Sequence, residues 1–156
     1  MNISPLANIV GNEVSIGKNV RIDPFVTITG NVVLGDNVHI GVGVCIFGGG
    51  GVVIGNDVSL SPGCKLFSTN EDADSGMLSN PQVSPRYCAT GEIRIGDRSV
   101  IGSNAIVLQG VEIGHDVQVG ALSLVTKDLQ SGYIYAGIPV RRIRAKPMIF
   151  HIHKAA

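Results

Sequence analysis

The chain has 156 residues, 12 Lys plus Arg against 12 Asp plus Glu, and is 44% hydrophobic but only 4% aromatic. Such a chain suits one domain over residues 1–156 and excludes the basic surface on which non-specific nucleic-acid binding depends. No apolar run approaches the ~20 residues of a membrane span, no basic segment leads into an apolar one at the N-terminus as in a secretory signal, and the unevenly spaced Cys45, Cys64 and Cys88 point to a reduced, cytoplasmic setting.

In chain order, residues 1–9 read as a short lead-in. From Val10 to Ile46 a large aliphatic residue recurs at every sixth position: Ile16, Ile22, Ile28, Leu34, Ile40 and Ile46. A second apolar residue sits two places before each, at Val14, Val20, Val26, Val32, Val38 and Val44. A period of six matches neither the 3.6 of a helix nor an unbroken alternation. It fits a short strand, a turn and a return to the same radial position, which is the signature of a parallel β-helix. Three hexads make one triangular coil of about 18 residues, with successive coils stacked at the usual strand spacing of ~4.8 Å. A single coil buries too little to stand alone, so the stack is the unit of stability.

After a two-residue slip the ladder continues through Ile54, Leu60 and Leu66, and after a longer break through Ile95, Ile101, Val107, Ile113, Val119 and Val125. Taking the faces of Ile40, Ile46 and Ile54 as first, second and third puts both interruptions at one corner. The run Phe47-Gly48-Gly49-Gly50-Gly51 lies between the second and third faces. It reads either as a loosened corner or as a place where backbone closely approaches a ligand. Residues 67–92, rich in Ser, Asn, Asp, Pro and Gly, leave after Leu66 on the second face and return at Ile93 on the third. They form an excursion loop, and a long loop on a rigid scaffold is a natural place for function. Lys127 to Gly132 breaks the ladder, and a tail follows with four basic residues between Arg141 and Lys146.

Three segments, IGSNAIVLQGVEIG (101–114), VGALSLVTKDL (119–129) and AGIPVRRIR (136–144), resemble the closing part of the hexapeptide-repeat acyltransferases, above all the galactoside, maltose and polysaccharide O-acetyltransferases. The resemblance implies an all-β fold, a left-handed parallel β-helix of hexapeptide repeats. That hand runs against the usual right-handed crossover and does not follow from the period. It also implies a homotrimer, acetyl-CoA as donor with no metal, a sugar, sugar nucleotide or polysaccharide-linked sugar as acceptor through a hydroxyl or an amino group, and a coenzyme A groove between subunits. By motif, coenzyme A contacts fall on Ser103, Ala121, Thr126, Lys127, Arg141 and Arg144. Lys127, Arg141 and Arg144 suit phosphates, and the backbone near Ser103 and Ala121 suits the amide-rich pantetheine arm.

The family places a His general base in the long loop, yet residues 67–92 contain no His. The matching stretch reads Phe67-Ser68-Thr69-Asn70-Glu71-Asp72. Three readings stay open. Glu71 or Asp72 acts as base, its pKa raised by burial under the loop. Or the acceptor is an amine, already nucleophilic when neutral, that needs only a positioning Asn70 and a carboxylate. Or His39, one place before Ile40 and so facing outward, is the base. His115 reads as a turn residue at the corner between the third and first faces, His151 and His153 as incidental to the tail, and Cys64 as core. Two other classes use this scaffold. A γ-class carbonic anhydrase needs three His ligands, and IGHDV (113–117) resembles one piece of its pattern, but position 120 is Gly. A catalytically inactive binding or scaffold protein would keep the coenzyme A groove without the base.

Overall fold

The computed structural model describes residues 1–72, 74, 76 and 88–147. The chain winds as a parallel β-solenoid. The first face is an eight-stranded sheet. In it Asn2–Ile3, Arg21–Ile22, His39–Ile40, Ser59–Leu60, Val100–Ile101, Gln118–Val119 and Tyr133–Ala136 stack in parallel, and Arg141–Ala145 turns back antiparallel over the last. Asn8–Ile16, Thr27–Leu34 and Cys45–Ile54 run unbroken across the corner between the second and third faces. Above them the corner opens. Lys65–Phe67, Ile106–Val107 and Leu124–Val125 stack on the second-face half, and Ile93–Ile95 and Glu112–Ile113 on the third-face half.

The register puts like on like. Ile22, Ile40, Leu60, Ile101 and Val119 form one column, Ile28, Ile46, Leu66, Val107 and Val125 a second, and Leu34, Ile54, Ile95 and Ile113 a third, all buried. Two companion positions are Ser, and each hydroxyl is satisfied inside the prism. Ser99 Oγ donates to the Gly114 carbonyl (2.9 Å) and accepts from Val117 N–H (3.0 Å), while Ser123 Oγ accepts from Gly137 N–H (3.2 Å). Cys64 is core as expected: burial pushes its thiol up to about 12, which keeps it unreactive.

Turns between the third and first faces use Asn19, Asn37, Asp57, Arg98 and Asp116, all at φ between 55° and 58°. Asn and Asp tolerate this left-handed conformation better than most residues. A side chain from each coil also caps the coil below. Asp36 Oδ1 accepts from Lys18 N–H (2.7 Å), Asn56 Oδ1 from Asp36 N–H (2.8 Å), and Asp97 Oδ1 from Asn56 N–H (2.8 Å). Next come His115 Nδ1, accepting from Asp97 N–H (3.0 Å), and Ser131 Oγ, accepting from His115 N–H (2.9 Å). His115 is thus a turn residue, as its position suggested.

Three expectations change. The lead-in already contains a rung, since Asn2–Ile3 pairs with Arg21–Ile22. The ladder does not stop at Lys127, because buried Leu129 bridges Ile113 on the third face and Tyr135 follows on the first. The glycine run does not interrupt its strand, Cys45–Ile54, but loosens the pairing there, with a register shift between Gly48 and Val52 against Gly30 and Val32. Among the described residues no helix is long and apolar enough to cross a membrane.

Candidate functional site

The corner between the second and third faces explains its own glycines. A Cβ on Gly48 would lie 2.7 Å from the Thr29 carbonyl oxygen, one on Gly49 2.8 Å from Thr69 Oγ1, and one on Gly50 against the Ser68 carbonyl. Gly49 and Gly50 therefore closely approach the root of the excursion loop, and Gly48 the coil below. Ser68, fully buried, ties that root down. Its Oγ donates to the Phe47 carbonyl (2.8 Å) and accepts from Gly50 N–H (2.9 Å). The returning end is anchored where Gly91 N–H donates to the Ser68 carbonyl (2.9 Å) and Gly110 N–H to the Gly91 carbonyl (3.1 Å).

From this base the loop leaves as an antiparallel ribbon, with Thr69, Asn70 and Glu71 opposite Thr90, Ala89 and Cys88. Beside it the Phe47 and Phe67 rings stack, centroids 5.2 Å apart and 8° from parallel. Phe47, Phe67, Thr69, Asn70, Glu71 and Cys88 line a shallow cavity of about 310 Å³, wide open to solvent. Asn70 Oδ1 accepts from Glu71 N–H (2.9 Å), and Asp72 Oδ1 from Asp74 N–H (3.0 Å). Asn70 and Glu71 reach the cavity while Asp72 is not among its lining residues. Glu71 is exposed, so the burial expected over it is not found. A second groove of about 260 Å³ on the third face includes Glu13, Asn31, Val33 and Glu92, but Glu92 is ion-paired to Arg94.

His39 lies on the first face, away from this corner within one chain. It has a partner that the sequence reading missed: its Nε2 is 2.8 Å from Asp23 Oδ2, and Arg21 Nε donates to Asp23 Oδ1 (2.7 Å). The hydrogen bond to His39, and then the one to Arg21, hold the Asp23 carboxyl below its ordinary range. The signal was available, since the coil repeat sets Arg21 beside His39 and Asp23 follows two residues on.

The candidate coenzyme A residues fall into separate groups. Ser103 and Ala121 sit in successive coils at the corner between the first and second faces, where Leu122 N–H donates to the Ser103 carbonyl (2.9 Å). Arg141 comes back to this corner, because residues 137–140 cross above Leu124 and Arg141 then pairs with Ala136, which stacks on Gly120. Thr126 and Lys127 are at the opposite edge of the second face, exposed, and Arg144 lies further along the first face opposite Ile134. Among the described residues none of Lys127, Arg141 and Arg144 is in an ion pair, whereas Arg142 covers the Tyr133 ring at 4.6 Å. Three free cations with exposed heads suit a ligand rich in phosphate. Among the described residues no group of three or more His, Cys, Asp or Glu could hold a metal. His151 and His153 lie outside the described residues.

The family model for the bacterial transferase hexapeptide (six repeats) matches residues 13–48 and 92–127. The chain is 34% identical, over 96% of its length and 82% of the relative's, to dTDP-4-amino-4,6-dideoxy-D-glucose acyltransferase of Escherichia coli. It is 29% identical to galactoside O-acetyltransferase of Escherichia coli strain K12, over 83% of this chain and 63% of that one. Among solved structures it superposes at a TM-score of 0.89 and 33% identity on a variant of an N-acyltransferase from Bacillus cereus in complex with dTDP-4-amino-4,6-dideoxyglucose and coenzyme A, covering 94% of this chain and 81% of that one. The solenoid matches the left-handed β-helix of these acyltransferases.

Proposed function

Because this chain belongs to the hexapeptide-repeat acyltransferases, we propose that it transfers an acyl group from acetyl-CoA or a related acyl-CoA to the amino group of a nucleotide-linked amino sugar. One observation carries the choice of amine. The cavity at the loop corner presents Asn70 and Glu71, in the stretch where the family resemblance implies a His base for hydroxyl acceptors. A hydroxyl requires a base to become nucleophilic, a contribution of typically 10²–10⁴-fold, whereas an amine needs only to be neutral and aimed. The neutral amine attacks the thioester carbonyl, a C–N bond forms and the C–S bond breaks. One nitrogen proton leaves and coenzyme A departs as the thiol. Asn70 positions the acceptor, Glu71 receives the hydrogen bond of the departing proton, and Asp72 stiffens the ribbon behind them.

Lys127, Arg141 and Arg144 hold the phosphates of the donor, Thr126 and the backbone at Ser103 and Ala121 its pantetheine arm. That one chain carries these residues at opposite edges of the second face supports a groove shared between neighbouring subunits of a homotrimer. The reduced state of Cys45, Cys64 and Cys88 suits a cytoplasmic enzyme. A second reading rests on a different observation. The Asp23 partner holds His39 Nε2 and leaves Nδ1 to take a proton, as a base for a hydroxyl acceptor requires.

The deciding experiment assays wild type, Glu71→Gln and His39→Gln on matched amino and hydroxyl nucleotide sugars from pH 6 to 9. The amine reading expects acyl-amide product, a rate that rises as the acceptor amine deprotonates, and a loss of about tenfold in Glu71→Gln, the worth of one hydrogen bond to a charged group. Turnover of the hydroxyl sugar alone, abolished in His39→Gln, establishes the second reading. Coenzyme A binding with no turnover of either acceptor identifies a scaffold.

A further inference from the structure

The acceptor proposed above brings a diphosphate with it, and assigning Lys127, Arg141 and Arg144 to the donor leaves that charge without a cation. The second face supplies one beside the cavity. In the strand Lys65–Phe67, Leu66 is buried and its two neighbours are partly exposed, so Lys65 and Phe67 share the outward surface. The register sets Cys45 beneath Lys65 and Phe47 beneath Phe67, with Ile106 above Lys65. None of these neighbours is a carboxylate. Among the described residues Lys65 is the only cation on the strands of this face, and it is in no ion pair. Its Nζ donates to the Gly63 carbonyl (3.0 Å). An ammonium has three hydrogens to donate, so this bond leaves two for a ligand.

We infer that Lys65 seats the diphosphate of the acceptor, which lies across the second face with its amine at the loop. This rests on the proposed nucleotide-linked amino-sugar acceptor. Order along the chain matches order along the ligand. Lys65 comes first, then the paired rings of Phe67 and Phe47 that wall the cavity, then Asn70 and Glu71 on the ribbon. A 4-amino sugar diphosphate has its charged end at C1, a pyranose ring with apolar C–H groups in the middle, and its nitrogen on the far side of that ring. The cation then meets the phosphates, the aromatic wall meets the C–H groups, and the amide and carboxylate meet the amine. Lys65 and Phe67 stand two strand residues apart, about 7 Å, so phosphates beside the ammonium leave the pyranose over the rings. Because the cavity is shallow and open, it admits a ligand laid along the surface in this way. Lysine acts here as a point charge, and the wall and the ribbon set the orientation of the sugar.

The test measures binding of dTDP, dTDP-4-amino-4,6-dideoxyglucose and coenzyme A to the full chain by calorimetry, in wild type, Lys65→Gln and Lys65→Arg. The diphosphate of dTDP comes without the amine, so its affinity reads the phosphate seat alone. Lys65→Gln should weaken dTDP and the amino sugar roughly 10- to 100-fold, the worth of a charge-assisted hydrogen bond. The KM of the amino sugar should rise in step, while coenzyme A affinity and the Tm hold. Lys65→Arg keeps the charge and should recover most of the loss. Wild-type dTDP affinity in Lys65→Gln overturns the inference, and so does a lower Tm with dTDP affinity intact, the mark of a purely structural lysine. A fall in coenzyme A affinity alone assigns Lys65 to the donor and overturns it as well. A wild type whose Lys65-dependent binding of the amino sugar leads to no acyl amide refutes the amine reading and upholds the phosphate seat. A wild type that binds no dTDP refutes both.

Discussion

Gly50→Ala is the most direct probe of how the loop is held against the stack. The added Cβ would fall on the Ser68 carbonyl, 2.8 Å from Thr90 Cγ2 and 3.1 Å from Gly91 N. These atoms belong to both roots of the excursion, and two are backbone, so no side-chain rotation relieves the clash. Overpacking of this kind costs typically about 1–3 kcal/mol. At about 2–4 °C per kcal/mol for a chain of this size, the Tm should drop on the order of 5 °C. Because Thr69 to Glu71 form one wall of the cavity, the shift also moves Asn70 and Glu71. Acyl transfer should then fall about tenfold or more for a displacement near 1 Å, while coenzyme A affinity holds, since the donor residues lie in coils above. Ser68→Ala provides the comparison: it leaves the Gly50 N–H without its acceptor, at about 1–3 kcal/mol, but adds no bulk. Differential scanning calorimetry and steady-state kinetics on both variants are sufficient. A Gly50→Ala protein with wild-type Tm and wild-type kcat would show that the glycine run does not seat the loop.

Arg141→Ala removes a charge-assisted contact worth about 1.5–3 kcal/mol, so calorimetry should show coenzyme A binding weakened roughly 10- to 100-fold with an unchanged Tm; unchanged affinity would remove Arg141 from the donor site. Light scattering should give three times the 16.3 kDa chain mass, and a monomer that binds coenzyme A fully would contradict a shared groove. The Asp116 carboxyl is held below its ordinary 3.8 by its hydrogen bond to the Arg98 guanidinium. A depressed carboxylate adds stability above its unfolded pKa that is lost as pH falls through the lower folded value. Asp116→Asn should therefore lower the Tm at pH 7 and narrow its gap from wild type below about pH 3.8, the group's ordinary value; a gap independent of pH would exclude the ion pair as the cause.

Much of this fold is legible in one dimension because each inward position recurs at the same radial place. The ladder from Ile16 to Val125, the three faces and the corner from which residues 67–92 emerge all follow from counting by six. The same counting brings Arg21 and His39 together. It fails where the repeat changes length. Leu129 continues the third column only because a shortened last coil brings it beside Ile113, and Asn2–Ile3 makes a rung only because Arg21–Ile22 lies above it. The site shows the same division. The resemblance to the hexapeptide-repeat acyltransferases marked Arg141 and Lys127 by motif and, through its absent loop His, the stretch with Asn70 and Glu71; residue chemistry then suggested what each could do. Tertiary structure decided which of them meet. Asn70 and Glu71 share a cavity with two stacked phenylalanines, the donor residues divide between two corners, and His39 turns to Asp23. Gln109 carried no signal at all. Its Oε1 is buried without a partner among the described residues, and burial without a partner depends on which neighbours the coils stack around a residue, which the order of residues along the chain does not state.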